Sequence, residues 1–377
     1  MRYDILRKGV IGGLLLLFIG TGVGSAVSES SSTSPQVLGR GNWLYVGGSG
    51  PGNYTSIQGA IDNASDGDTV FVFDDSSPYY ENVTVDKRIT LIGEEKETTI
   101  IDGTFLEVFI HIKTDGVTVA GFTVRNATDF GFIISSNQVM IHNNIIKNSC
   151  TGIGIAACSG IISDITITNN TLSNDGSGIF AAGTNQLNIS NNNITYHDYG
   201  IMLGMTLNTT IQSNSITDIK TTRTLPKKDC RNLLSFHFPT IPFLNDTSNS
   251  TAICSLEDNK VSIINNVLQG YCTLLLFNSS NVTFLHNTFL FTDKGLISLG
   301  SHMIFKKNNI IRKYSSYNMD FMVFDSTIRF NNNYWNRPRL LPKVIFGWRI
   351  IDDDRITPKL FVDWRPAVRP YDILSIS

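Results

Sequence analysis

A sustained helical pattern is what this 377-residue chain lacks. A helical repeat would need a run of about 10 residues at the helical period, and here Gly, Asn, Asp, Ser and Thr interrupt the sequence every few positions. Cysteine is scarce too. The five present, Cys150, Cys158, Cys230, Cys254 and Cys272, contain no Cys-x-x-Cys pair and no Cys/His zinc spacing, which argues against a thiolate metal site. Charged residues make up only 16% of the chain and nearly cancel, at a net −2. Setting aside Arg2, Asp4, Arg7 and Lys8 of the first 26 residues leaves 27 basic against 31 acidic residues, a net −4, so there is no electrostatic case for nucleic acid.

What abounds instead is a returning phrase: VMIHNNII, ITITNNTL, LNISNNNI, TIQSNSI, VSIINNVL, VTFLHNTF, MIFKKNNII and TIRFNNNYW. Anchored on one Asn, it falls at Asn144, Asn170, Asn192, Asn214, Asn266, Asn287, Asn308 and Asn333, with Phe122 in the equivalent place before them. The steps are 22, 26, 22, 22, 52, 21, 21 and 25 residues. Period-2 apolar alternation within each unit predicts an all-β solenoid whose rungs are short strands. Strands stacked in parallel at roughly 4.8 Å put Ile, Val, Leu and Phe into one core. The Asn column is then a structural ladder at a tight turn, each Asn tolerating left-handed geometry. A parallel crossover is right-handed almost without exception, so we expect a right-handed single-stranded β-helix of about ten coils.

A second strand precedes each phrase and usually opens with glycine, at Gly131, Gly152, Gly178, Gly200 and Gly295. Its outward residues, Ile133, Gly154, Phe180, Met202, Cys254, Leu275, Ile297 and Met322, form an apolar stripe along the solenoid. Such a stripe is not normally left in water, so something should cover it. Near the start, Ile57, Ala60, Ile61 and Ala64 make a short apolar helical face suited to capping the first coil.

The first 26 residues read as a secretory signal: three basic residues, an apolar run from Val10 to about Val23, then small residues ending at Ala26. An uncleaved anchor is the alternative, and no other span appears after cleavage. Residues 27–41 read as a linker, 42–336 as the β-helix with an insertion near 218–247, and 337–377 as a C-terminal cap. Dense Asn-x-Ser/Thr sequons, among them Asn53, Asn82, Asn126 and Asn278, suit a secreted glycoprotein.

Over about residues 42 to 336 the sequence resembles the right-handed parallel β-helix proteins of the pectin-lyase-like superfamily, especially the branch with carbohydrate-binding and sugar-hydrolysis repeats and its NosD-like members. WLYVGGSGPGNYTSIQGAIDNASDGDTVFV looks like the N-terminal cap of secreted members, and NNNYWNRPRLLPK with FVDWRPAVRPYDI resembles their closing segment. The resemblance implies a carbohydrate or cell-envelope partner, a secreted or cell-surface location and, in the lyases, Ca²⁺. No other cofactor is evident. The acid and basic motifs of pectate lyases and polygalacturonases are not legible here, and the Asp352-Asp353-Asp354 run lacks an EF-hand loop.

Chemistry, if present, would gather at one turn. Asp129, Asp175, Asp198 and Asp293 recur there, with His197 beside Asp198, and the long insertion leaves the same turn. Asp175 and Asp198 on adjacent coils would stand about 5 Å apart, the spacing of a retaining glycosidase, with His197 assisting. Asp before Gly is also ordinary turn chemistry. Lys227, Lys228 and Arg231 of the insertion, with Asp129, are the candidate substrate-binding residues. Cys230 lies in the insertion and Cys254 on the stripe, so a Cys230–Cys254 disulfide is expected to pin the insertion across the stripe. Three functions follow: a noncatalytic β-helix binding carbohydrate or contributing to the envelope, which the missing motifs favour; a polysaccharide lyase or glycoside hydrolase acting on an acidic glycan; or a NosD-like accessory to a copper enzyme. Six scattered His and seven Met form no copper constellation, so the last rests on resemblance alone.

Overall fold

Short alternating strands dominate the computed structural model, which describes residues 41–373 apart from 104–109, 157–159, 219–250, 313–320, 337–340 and 353–354; the side chains at 174–175, 197, 292–293, 349–352 and 355–356 are likewise outside the description. Twelve strands, from Trp43–Val46 to Thr327–Asn331, stack into one parallel sheet, and eighteen more form a second sheet around the other sides. The result is an all-β parallel solenoid of about 11 turns. Its core is a column of inward side chains, for example Ile141, Ile167, Ile189, Ile211, Ile263, Phe284 and Phe305, aligned by strand register and buried. The strands Val83–Val85 and Thr90–Gly93 follow in the early coils.

The expected cap is the one helix among the described residues, Ile57–Asn63. The Ser56 hydroxyl accepts from Gly59 N at 3.1 Å, and the Glu81 carboxylate accepts from Ile57 N and Gln58 N at 2.8 and 2.9 Å, which satisfies donors the first turn would otherwise orphan. Ile57, Ala60 and Ile61 are fully buried over the open end of the first coils.

The Asn ladder runs the length expected. Each Asn Oδ1 accepts the backbone N–H of the Asn one coil earlier, at 2.8–3.0 Å from Asn144 through Asn333, and each rung is buried. The ladder starts at Phe122 N, which donates to Asn144 Oδ1 at 3.1 Å. It ends on Asp363, whose carboxylate accepts from Asn333 N, Asn333 Nδ2 and Trp335 Nε1 at 2.9–3.1 Å. A terminal rung needs only to accept, which a carboxylate does and an amide does less completely. The bend itself sits one residue earlier than expected. Asn143, Asn169, Asn191, Ser213, Asn265, His286, Lys307 and Asn332 hold φ of 53–57°, leaving the ladder Asn free to turn its amide inward.

A second ladder lies at the opposite end of the same strands. Thr206 N donates to Asp258 Oδ1 at 2.6 Å, Asp258 N to Ser279 Oγ at 3.3 Å, Ser279 N to Ser301 Oγ at 3.1 Å and Ser301 N to Ser326 Oγ at 3.0 Å. Each of these rungs again follows a left-handed residue: Met205, Glu257, Asn278, Gly300 and Asp325. Asp258 also accepts from Ser255 Oγ and Leu256 N, at 2.7 and 3.0 Å. Burial nevertheless outweighs these bonds and pushes its carboxyl up to about 6.

Candidate functional site

The turn singled out by its carboxylates is held by the strands Thr171–Ala182 and Asn193–Gly204, neighbours in the second sheet. Asp175 and Asp198 are therefore on adjacent coils. Their register is irregular: Asp175 stands opposite Tyr196, whereas Asp198 immediately precedes Tyr199, which pairs with Ser177. The side chains of Asp175 and His197 are outside the described residues, as are Lys227, Lys228 and Arg231. Asp129 is exposed and does not join the pair. The chain of partners from Phe130 to Thr151, Ser177 and Tyr199 sets it three strands from Asp198, roughly 14 Å along the solenoid.

The apolar stripe has the composition and register expected of it. Ile133, Gly154, Phe180, Met202, Cys254, Leu275, Ile297 and Met322 are successive partners across neighbouring strands. Its middle is covered, with Phe180, Met202, Cys254 and Leu275 each no more than 5% exposed despite pointing away from the core. The residues expected to lie across it, 218–247, fall almost wholly outside the described residues. The disulfide expected there is a correction: Cys254 carries a free thiol, so it is not bridged to Cys230, and Cys150 is the disulfide-bonded cysteine among the described residues. The physical reason is position. Cys254 is packed by Phe180, Met202, Leu256 and Leu275 as one more apolar residue of the stripe.

A different surface stands out at the N-terminal end. In the strands Trp43–Val46 and Thr69–Val72 the inward parity holds Val46, Val70 and Val72, and the outward parity holds Trp43, Tyr45 and Phe71, with Phe73 next in line. These four rings form one cluster. Trp43 and Tyr45 lie 6.2 Å apart at 28°, Tyr45 and Phe73 5.9 Å apart at 23°, and Phe71 meets Phe73 edge-on at 5.2 Å. Trp43 is 53% exposed and Tyr45 40%, so the cluster is a platform open to solvent. Asp74, Asp75 and Glu94 edge it: Asp74 N donates to Glu94, and Asp75 accepts from Gly48 N. The signal for it was in the sequence, as aromatic residues at alternate positions of WLY and FVF, but these strands precede the first Asn phrase and so escape the repeat.

Comparison with known proteins fits this architecture. Residues 61–226 match the family model described as Periplasmic copper-binding protein (NosD). The chain carries a NosD-like parallel β-helix domain. No curated protein matches the sequence. Among solved structures, XylC in complex with xylose is similar at 14% identity and a TM-score of 0.52, over 76% of this chain and 76% of that one. The enzymatically active domain of tailspike protein 2 from bacteriophage CBA120 is similar at 10% identity and a TM-score of 0.45, over 76% of this chain and 46% of that one. The A-module of the Azotobacter vinelandii mannuronan C-5 epimerase AlgE6 follows at 11% identity and a TM-score of 0.36, over 73% and 87%. At these identities the likeness concerns the fold alone.

The NosD description raises copper, which the described residues do not fit. No group of three or more His, Cys, Asp or Glu among them could hold a metal ion. The softest pair, Met202 and Cys254, are partners on adjacent strands. Apolar burial pushes the Cys254 thiol far above the usual range, and two side chains alone do not complete a copper site. No helix among the described residues is long and apolar enough to cross a membrane, and the N-terminal segment read as a signal lies outside them.

Proposed function

We propose that this chain is an exported, noncatalytic β-helix that binds carbohydrate through the aromatic platform of Trp43, Tyr45, Phe71 and Phe73. The single observation behind this reading is the exposure of two of those rings on a rigid sheet face. Indole and phenol rings offer apolar faces to the C–H side of a pyranose, while neighbouring carboxylates accept from its hydroxyls. With Asp74, Asp75 and Glu94 at the edge, the platform suits a neutral glycan and repels a uronate. Export is supported by the sequence of the first 26 residues and by the periplasmic description of the matched family. The test is a panel of neutral and acidic glycans in affinity electrophoresis. Retardation by a neutral glycan that is lost in Trp43→Ala/Tyr45→Ala supports the reading, and retardation unchanged by those substitutions refutes it.

A hydrolytic reading has its own motivating observation, the adjacent strands that carry Asp175 and Asp198. Asp198→Asn would then abolish release of reducing ends by several orders of magnitude while leaving folding intact. Equal product release from the variant and the parent removes this reading.

A further inference from the structure

The C-terminal cap is an antiparallel hairpin, Lys343–Asp352 with Arg355–Asp363. Its inner face closes the solenoid: Ile345 pairs with Phe361, both buried, and Asp363 ends the Asn ladder. Alternation should make the outer face polar. It is apolar instead. Val344 pairs with Val362 and Phe346 with Leu360 on that face. Phe346 is 59% exposed, Leu360 58% and the following Trp364 73%, forming a continuous open patch where scattered single residues would need no explanation.

The charges around this patch are sorted. Lys343 and Lys359 turn inward, with Nζ 5.6 Å over the Trp335 ring and 5.3 Å over the Phe361 ring. Asp363 is fully buried in the ladder. Arg365 and Arg369 are exposed immediately beyond Trp364, and the exposed acids nearby are Asp372 and Asp325, whose N–H donates to Trp348 O. In a chain of net charge −2, this apolar, aromatic end belongs to a segment, residues 337–377, that holds eight basic against five acidic residues. A second copy docked through this face would gather Arg365 and Arg369 of both copies at one interface, which like-charge repulsion opposes. An anionic lipid surface meets all three properties at once: acyl chains take Phe346 and Leu360, the headgroup layer takes the amphipathic indole of Trp364, and lipid phosphates take the guanidinium groups. We propose that the outer face of the C-terminal hairpin docks on an anionic membrane surface, independently of any carbohydrate bound at the other end.

The test uses the full chain with vesicles of phosphatidylglycerol and phosphatidylcholine whose acyl chains carry bromine, which quenches nearby indole fluorescence. Trp43, Trp335 and Trp348 also fluoresce, so the readout is the component lost in Trp364→Phe, which is local to the hairpin and is not confounded by the N-terminal apolar segment. We expect a Trp364 component of quenching on the mixed vesicles that is absent on pure phosphatidylcholine and weakens at least tenfold in apparent affinity in Arg365→Glu/Arg369→Glu. Phe346→Ser/Leu360→Ser should also lose it, and the arginine variant, altered only at exposed positions, keeps the test valid if that pair misfolds. No difference in quenching between the parent and Trp364→Phe, an equal Trp364 component on neutral vesicles, or a solution dimer that dissociates in Phe346→Ser/Leu360→Ser would each overturn the proposal.

Discussion

Two outward surfaces of this solenoid are rich in apolar side chains, and they have opposite fates. The stripe of the second sheet, centred on Phe180, Met202, Cys254 and Leu275, faces away from the core and is nonetheless buried. The N-terminal face of the first sheet presents Trp43 and Tyr45 to solvent. Both arise from the same strand parity, so residue type alone does not separate packing from recognition. Coverage does. A covered stripe contributes stability through area removed from water, whereas an open ring contributes little to stability and is available to a ligand.

The largest expected effect breaks the covered side. Leu275→Asp would bury a carboxylate between Cys254 and Ile297 with no partner, and should cost about 4 kcal/mol or more, read as a lowered denaturation midpoint. A variant as stable as the parent would mean the stripe is open.

Asp258 adds a pH dependence beside that stripe. Its folded carboxyl sits at about 6 against an ordinary 3.8, chiefly because burial disfavours the charge. The native state therefore holds the proton more tightly than the unfolded chain, and stability is lost as pH rises from about 4 through 6, by roughly 3 kcal/mol in all. Asp258→Ser, which continues the column of Ser279, Ser301 and Ser326, should flatten that fall in urea denaturation across this pH range. A pH profile identical to the parent's would show that Asp258 is not its source.

The smallest effect sharpens the open side. Trp43→Ala should change stability by no more than about 0.5 kcal/mol in the same denaturation assay, since surface substitutions away from packed features stay near that limit. A loss comparable to that of Leu275→Asp would make the platform a structural cluster.

How much of this was legible follows from where the repeat was regular. The Asn phrase keeps one residue type at one turn, so strand parity and ladder could be read from it, and the eight-residue stripe from the Gly-opened strand before it. The second ladder keeps its geometry while its residue changes among Thr206, Asp258, Ser279, Ser301 and Ser326, because any short side chain with an oxygen can accept the N–H of the preceding coil. Its legible signal was the left-handed residue before each rung, which sequence marks only where it is Gly or Asn. The Cys230–Cys254 bridge failed because loop-closure entropy says what a disulfide is worth and not which thiol makes it, and Cys254 had already been counted as a packed stripe position. The aromatic platform and the apolar outer face of the cap lie in the first coils and the closing hairpin, beyond the reach of any argument from the Asn repeat.

The central claim is that the open aromatic face recognises a neutral glycan. Calorimetric titration of the parent and of Trp43→Ala/Tyr45→Ala with the best neutral glycan from the panel tests it most directly. The account predicts binding by the parent and at least a hundredfold weaker binding by the variant at unchanged thermal stability, as expected when two stacking rings of about 1.5 kcal/mol each are removed. Equal affinity in parent and variant would contradict it.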